Sequence, residues 1–332
     1  MSTNDERSSR LRRRITAIVL GFLFAPLAAE LAYRVTRAST LSPTTNPRYV
    51  VHDDELGWRY EPNARERHTS AEFDVEIAIN SDGFRGPEWP PEKSGKRGKR
   101  VLVLGDSYAF GWGVRFEDTF AARLQSAHPE WEVLDAAVSG YATDQELLLL
   151  RRMRARVDPD VVVCVFCAND LAEASSDVVY GKSKPRFVES GVELELVGAP
   201  VPNPWLEQTS ALWRAWKKSR WERAENARPR DLEGEWRLVL ALFAKFTDEL
   251  AGSATTDVRR ANVPLVIVSS EDRLARFAKG SPGVRHLDLR PVLGAGAGSA
   301  SVPLDGHWKA RGHELVVRAL EPALVEVLDP RR

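Results

Sequence analysis

Short apolar runs and longer amphipathic stretches take turns along the chain from residue 100 onward. Residues 100–104, 133–137, 161–166 and 264–269 read as strands, and helical patterns occupy 118–124, 145–157, 236–251 and 312–328. A run as continuously apolar as 161–166 (VVVCVF) is expected where a strand is covered on both faces. Strands separated by helices imply crossover connections, and so a parallel, doubly wound sheet. Ligands of such sheets sit beyond the carboxyl ends of the strands. Those ends are where chemistry is to be sought. The composition agrees with a globular domain: of 332 residues, 43% are hydrophobic and 28% charged, which argues against collagen-like, disordered and polytopic membrane chains.

The amino terminus departs from that pattern. Arg7, Arg10, Arg12, Arg13 and Arg14 precede an apolar run over residues 15–33. As a helix this run reaches about 28 Å, close to the thickness of a bilayer's hydrocarbon core, with Glu30 near enough to the end to snorkel. Pro26 kinks such a helix without forbidding it. The alanines at 17, 25, 28, 29, 32 and 38 never form an A-x-A triplet, which favours a retained anchor over a cleaved signal. The arginine excess before the run puts residues 1–14 in the cytoplasm. The rest is then expected on the periplasmic side of the inner membrane. Residues 34–98 read as a stalk (the polar stretch 39–47) and a β-rich extension (the alternation over 73–79), with a basic linker at 93–100. The doubly wound domain should cover 99–330. It is interrupted at 172–236 by an insertion that holds Trp205, Trp213, Trp216, Trp221 and Trp236. Leu212, Trp213 and Trp216 share one helical face, which suits packing on the core, stacking on a sugar or entering a membrane interface. Lys plus Arg equals Asp plus Glu at 47 each, so no global field favours nucleic acid as a partner.

Four strand-end features carry possible chemistry. Ser107 follows the first strand in Gly105-Asp106-Ser107, beside free N–H groups of a turn or helix start. Gly140, in Ser139-Gly140-Tyr141, lets a backbone amide approach a bound group closely. Asn169, before Asp170, offers a side-chain amide to a developing oxyanion. Asp305 stands two residues before His307, a carboxylate and an imidazole suited to orienting a base and removing a serine proton. Each alone reads equally well as a turn or cap; together they fall on one edge of one sheet. His313 competes as the base but lies within a helical pattern, and Asp288 competes as the orienting acid. Cys164 and Cys167 read as buried structural thiols, because residues three apart on a strand point to opposite faces. The glycine run at 294–298 lacks the strand and spacing of a dinucleotide loop and reads as a loop, and Walker, H-E-x-x-H and G-x-S-x-G patterns are absent.

In this order Ser107, Gly140, Asn169 and His307 resemble the four blocks of the SGNH, or GDSL, hydrolase family, over roughly residues 99–328. Leu56-Gly57-Trp58-Arg59, Asn80 and Gly83-Phe84-Arg85-Gly86 look like the leader of its membrane-anchored bacterial members. The resemblance implies a three-layer α/β/α, flavodoxin-like fold and ester hydrolysis or acyl transfer. It also implies Ser107 as nucleophile, His307 as base with Asp305, an oxyanion hole from Ser107, Gly140 and Asn169, and no cofactor or metal. Two positions depart from the pattern: Cys167 stands where the third block usually has glycine, and Leu304 where the last block usually has aspartate. Asp-x-His-Trp resembles the form in alginate-acetylation relatives, which points to a small acyl ester such as O-acetyl on a polysaccharide. The reading from another class is a non-catalytic module on the same fold that holds glycans through its tryptophans.

Overall fold

The computed structural model of the chain describes residues 2–36, 47–90, 98–191, 193–227, 229–252, 262–294, 300–301 and 306–329. The spacer expected at 39–47 lies outside these residues but for its last, as do 93–97 of the linker, most of the glycine run at 294–298 and Asp305. Helix α1 (Ser2–Thr36) is continuous through Pro26. Its Ile15, Ile18, Phe22, Leu27 and Leu31 are all at least half exposed. By length and composition it is apolar enough to cross a membrane.

Two antiparallel hairpins follow, β1 (Val50–Asp53) with β2 (Gly57–Tyr60) and β3 (Arg65–Thr69) with β4 (Asp74–Ala78). In β4 Val75 and Ile77 turn inward while Asp74 and Glu76 face water, the period of two that the alternation over 73–79 encodes. The hairpins do not stand apart from the main domain. Tyr49, Trp58, Tyr60 and Ile77 are buried in the same core as the sheet.

The main domain runs β5 (Lys99–Gly105), α2 (Ser107–Phe110), α3 (Phe120–Ala127), β6 (Trp131–Asp135), α4 (Thr143–Val157), β7 (Val161–Val165) and α5 (Asp170–Glu173). The insertion then contributes two hairpins, β8 (Val178–Val179) with β9 (Lys182–Ser183) and β10 (Arg186–Ser190) with β11 (Glu193–Val197), and two helices, α6 (Trp205–Thr209) and α7 (Ala211–Ala227). The alternation resumes with α8 (Leu232–Ala251), β12 (Leu265–Ser269), α9 (Asp272–Gly280), β13 (Val284–Asp288), α10 (Arg290–Leu293) and α11 (Ala310–Leu328).

Strands β13-β12-β7-β5-β6 form one parallel sheet in that order. The chain steps from β5 outward to β6 and then back across to β7. Right-handed crossovers therefore send α3 and α4 to opposite faces. Accordingly α3 packs with α11 and α4 with α8, which gives the three-layer, flavodoxin-like α/β/α architecture. Residues 101–104, 161–165 and 265–268 are essentially without exposure, as expected for strands covered on both sides. The order of connection reverses between β5 and β7, so a crevice opens beyond their carboxyl ends.

The structure shifts some boundaries. Strand β6 occupies 131–135 rather than 133–137, because Asp135 Oδ1 accepts the Ala137 N–H at 3.1 Å and turns the chain. Trp236, counted with the insertion from sequence, belongs to α8 and packs on Phe166 with ring centroids 5.8 Å apart. Elements α9 and β13 escape the alternation reading. The helix has nine residues, and the strand is an edge that carries Arg285 and His286 and pairs with β12 alone.

The insertion is riveted to α4 by an ion pair between Lys184 and Asp144, both side chains fully buried. Removing one partner strands the other charge. Lys184→Ala should cost about 3–5 kcal/mol in urea unfolding, whereas a Lys184→Met, Asp144→Leu double variant should recover most of that loss. Equal destabilisation by the single and double variants would contradict this account.

Candidate active site

Gly105 ends β5 with φ +157°, and a Cβ there would lie 2.6 Å from that of Ala109. The tight turn that follows needs this glycine. Asp106 caps α2: its Oδ1 accepts the Tyr108 N–H at 2.9 Å, and Ser107 becomes the first residue of that short helix. The loop after α2 is pinned by Arg85 of the hairpin extension. Its buried guanidinium donates to the carbonyls of Phe110 at 2.8 Å, Gly111 at 2.7 Å and Val114 at 2.6 Å. The Gly-Phe-Arg-Gly stretch thus has a structural task, that of fixing the backbone behind Ser107.

His307 enters from the far end of the chain, 200 residues later, just before α11. Its Nε2 lies 2.8 Å from Ser107 Oγ. If the serine O–H donates to Nε2, the ring proton sits on Nδ1. The imidazole rests against Tyr108 (centroids 4.8 Å) and Trp112 (6.2 Å), and the neighbouring buried Trp308 packs on Tyr108 at 5.2 Å. These rings limit its rotation. His313, the competing histidine, is fully buried; its Nδ1 accepts the Phe120 N–H at 3.2 Å, and burial, aided by Arg85, lowers its pKa to about 3. It is a neutral core residue that ties α11 to α3. Asp288, the competing acid, is engaged by Arg290 through Oδ1 at 2.9 Å and Oδ2 at 2.7 Å, which lowers its pKa.

Gly140 adopts φ +81° in the turn after β6. This turn is held from two directions. Val138 N–H donates to Gly105 O at 3.0 Å, while the extension supplies Tyr60 OH as acceptor for Ser139 N–H at 2.6 Å and Trp58 Nε1 as donor to Ser139 O at 3.3 Å. Asn169 precedes α5, and its Nδ2 donates to Asp106 Oδ2 at 3.3 Å and to Glu173 Oε2 at 3.2 Å. Asp106 therefore joins the first block to the third. Cys167, in the glycine position of the family pattern, is not among the positive-φ residues, so the loop does not require glycine there. Both thiols are free, and Cys164 is buried with its Sγ 3.2 Å from Glu146 Oε2.

Two contacts escaped the sequence reading. Tyr180, at φ +51° in the turn between β8 and β9, donates its OH to Glu173 Oε1 at 2.8 Å, and its ring would lie 3.1 Å from a Cβ at Gly140. One side chain from the insertion thus touches the surroundings of both candidate oxyanion donors. Glu173 falls four residues after Asn169, a spacing that places both on one helical face and was available as a signal. Nothing in the sequence around Tyr180 pointed to it.

The floor of the site is acidic. Asp106, Glu146, Asp170 and Glu173 are all buried, and burial, reinforced by their mutual repulsion, raises Asp170 and Glu146 well above the usual carboxylate range. Burial also raises Glu173 to about 7, against hydrogen bonds from Tyr180 and Asn169 that favour its charged form. A carboxyl with a higher pKa in the folded than in the unfolded state binds the extra proton when folded. Its ionisation opposes folding as pH rises from about 4.5 to about 7 and costs its full amount above that. The Tm of Glu173→Gln relative to wild type should therefore rise between pH 4.5 and 7.5. Parallel Tm curves for the two proteins would refute this assignment.

A parallel α/β/α sheet with a serine and a histidine in hydrogen-bond contact beyond its strand ends defines a serine hydrolase of the SGNH fold. Residues 103–315 match the model of the GDSL-like lipase/acylhydrolase family, and the chain belongs to that family. It is accordingly a hydrolase acting on ester bonds. Among curated proteins none matches the sequence. Similar solved structures include TesA, at 13% identity with 69% of this chain and 100% of that one covered and a TM-score of 0.43. The psychrotrophic esterase EstA from Pseudoalteromonas sp., inhibited by monoethylphosphonate, is 10% identical over 70% of this chain and 99% of that one, with a TM-score of 0.43. A lipolytic G-D-S-L family protein from Veillonella parvula is 10% identical over 68% and 98%, with a TM-score of 0.41.

Proposed function

We propose that the chain is a membrane-anchored serine esterase or acyltransferase acting on a small acyl ester, O-acetyl on a polysaccharide being the favoured substrate. The observation that carries this reading is the 2.8 Å contact between His307 Nε2 and Ser107 Oγ. Ser107 Oγ attacks the carbonyl carbon while its proton passes to Nε2. Collapse of the tetrahedral intermediate breaks the bond to the alcohol oxygen, which takes that proton and leaves the acyl group on Ser107. Water, or an acceptor hydroxyl in the transfer reaction, then gives its proton to His307 and its oxygen to the acyl carbon. Collapse of this second tetrahedral intermediate breaks the bond to Ser107 Oγ, which takes the proton back from Nε2 as the acid or the new ester leaves. Asp305 orients the ring and balances its transient positive charge. The oxyanion takes hydrogen bonds from the N–H of Ser107, the N–H of Gly140 and the Asn169 amide, which turns one N–H from its present carboxylate partners as charge develops. The acetyl and polysaccharide assignments rest on the Asp-x-His-Trp resemblance, and the anchor on the length and apolarity of α1 and its basic flank. In this reading residues 15–33 span the inner membrane, 34–98 form the stalk and extension, and 99–330 form the periplasmic catalytic domain.

Hydrolysis of p-nitrophenyl acetate by the full chain tests the assignment. Ser107→Ala and His307→Ala should each lose roughly 10⁴- to 10⁶-fold in kcat, and Asn169→Ala about 10²- to 10³-fold. Asp305→Asn should lose about 10⁴-fold, while Asp288→Asn should leave the rate unchanged. Undiminished turnover by folded Ser107→Ala would end the proposal.

A further inference from the structure

The end of the apolar helix is fastened to the insertion. The Glu30 carboxylate accepts Ser210 Oγ–H at 2.7 Å, Ala211 N–H at 2.7 Å and Leu212 N–H at 3.0 Å, so it caps the first turn of α7. Arg34 donates to the Thr209 carbonyl at 2.7 Å, at the end of α6. Glu30 lies three residues before the end of the apolar run 15–33, about 5 Å along the helix. The α6–α7 turn is therefore held where the span would meet water.

Around that turn large apolar side chains face solvent: Trp205 is 70% exposed, Trp216 48%, Leu206 41% and Leu212 37%. Helix α7 exposes Lys218, Arg220 and Arg223, with Glu222 and Glu225 in its sequence, while its Lys217 pairs with Glu207 of α6 and its Arg214 donates to the Glu207 carbonyl at 2.9 Å. The Arg220 guanidinium stacks on Trp216 at 5.5 Å, and Trp216 on Trp213 at 4.9 Å. Tryptophan and leucine beside an excess of cations are the composition of a segment that lies in the headgroup layer of a bilayer. A soluble glycan needs no such placement beside an apolar helix, nor the surplus of positive charge.

We propose that α6 and the first turns of α7 dock on the outer surface of the bilayer that α1 spans. Trp205, Leu206, Leu212 and Trp216 enter the boundary between headgroups and acyl chains, and the exposed Lys218, Arg220 and Arg223 face anionic headgroups. The proposal rests on the membrane-anchor reading of α1. Further along α7, Trp221 packs on Tyr180 with centroids 5.7 Å apart, and Tyr180 leads through Glu173 to Asn169. From Leu212 to Trp221 is about 14 Å of helix. Docking thus holds the esterase site close to the bilayer surface, where esters carried by membrane-bound molecules are presented.

None of the ten tryptophans lies in α1, so tryptophan fluorescence reports on the rest of the chain alone. Full-length protein is reconstituted into vesicles of phosphatidylcholine and phosphatidylglycerol, with and without dibrominated phosphatidylcholine. Brominated chains should quench wild-type emission, and a Trp205→Phe, Trp216→Phe variant of unchanged Tm should lose at least half of that quenching. Carbonate extraction in parallel reports on the anchor. Protein that resists carbonate but shows no quenching, or equal quenching in the variant, overturns the docking and leaves the anchor standing. Release by carbonate overturns both. Absence of quenching, with Trp205 and Trp216 responding instead to an added acetylated polysaccharide, reassigns the face to glycan and overturns the docking.

Discussion

A single buried carboxylate organises the region around Ser107. Asp106 is without exposure, accepts the Tyr108 N–H that starts α2, accepts the Asn169 amide from the loop after β7, and lies 3.6 Å from Cys167 Sγ. An ionised acid in such a place loses its hydration and needs donors in return. Those donors come from two strand ends that are neighbours in the sheet and some sixty residues apart in sequence. The requirement to satisfy Asp106 thus brings the first and third blocks together. Burial nevertheless leaves its pKa raised, and the nearby His307 is among the influences that favour its charge.

The centre of the sheet was legible because β5, β7 and β12 are continuously apolar, and a strand covered on both faces has few other places to go. The meeting of Ser107 with His307 followed from the same premise, since strand ends and the start of the closing helix share one edge. What stayed hidden depended on contacts that no local period encodes. Strand β13 carries Arg285 and His286 because it is an edge, and so no continuous apolar run marks it. Tyr180 reaches the site from a turn in the insertion, where no alternation predicts direction. The burial of Lys184 against Asp144 was equally invisible, because a lone lysine in sequence reads as surface.

The hairpin extension illustrates how one stretch changes meaning between sequence and structure. From sequence it read as a short β-rich extension after the stalk. In the fold Tyr60, Trp58 and Arg85 hold the backbone on both sides of Ser107, through the turn at Ser139 and the loop after α2. The two glycine-bearing turns of the central sheet are thereby braced from outside the main domain. Rigidity at this edge is what keeps a serine and an imidazole within bonding distance when no substrate is present.

On the proposed membrane-anchor reading, the cap that Glu30 places on α7 gives the amino-terminal helix a second task. A foreign apolar helix of equal length would leave the Ala211 and Leu212 amides without their acceptor. The insertion would then lose its fixed bearing on the helix while the sheet stayed folded. Alignment of the insertion on this helix thus falls to one acidic side chain in an otherwise greasy segment.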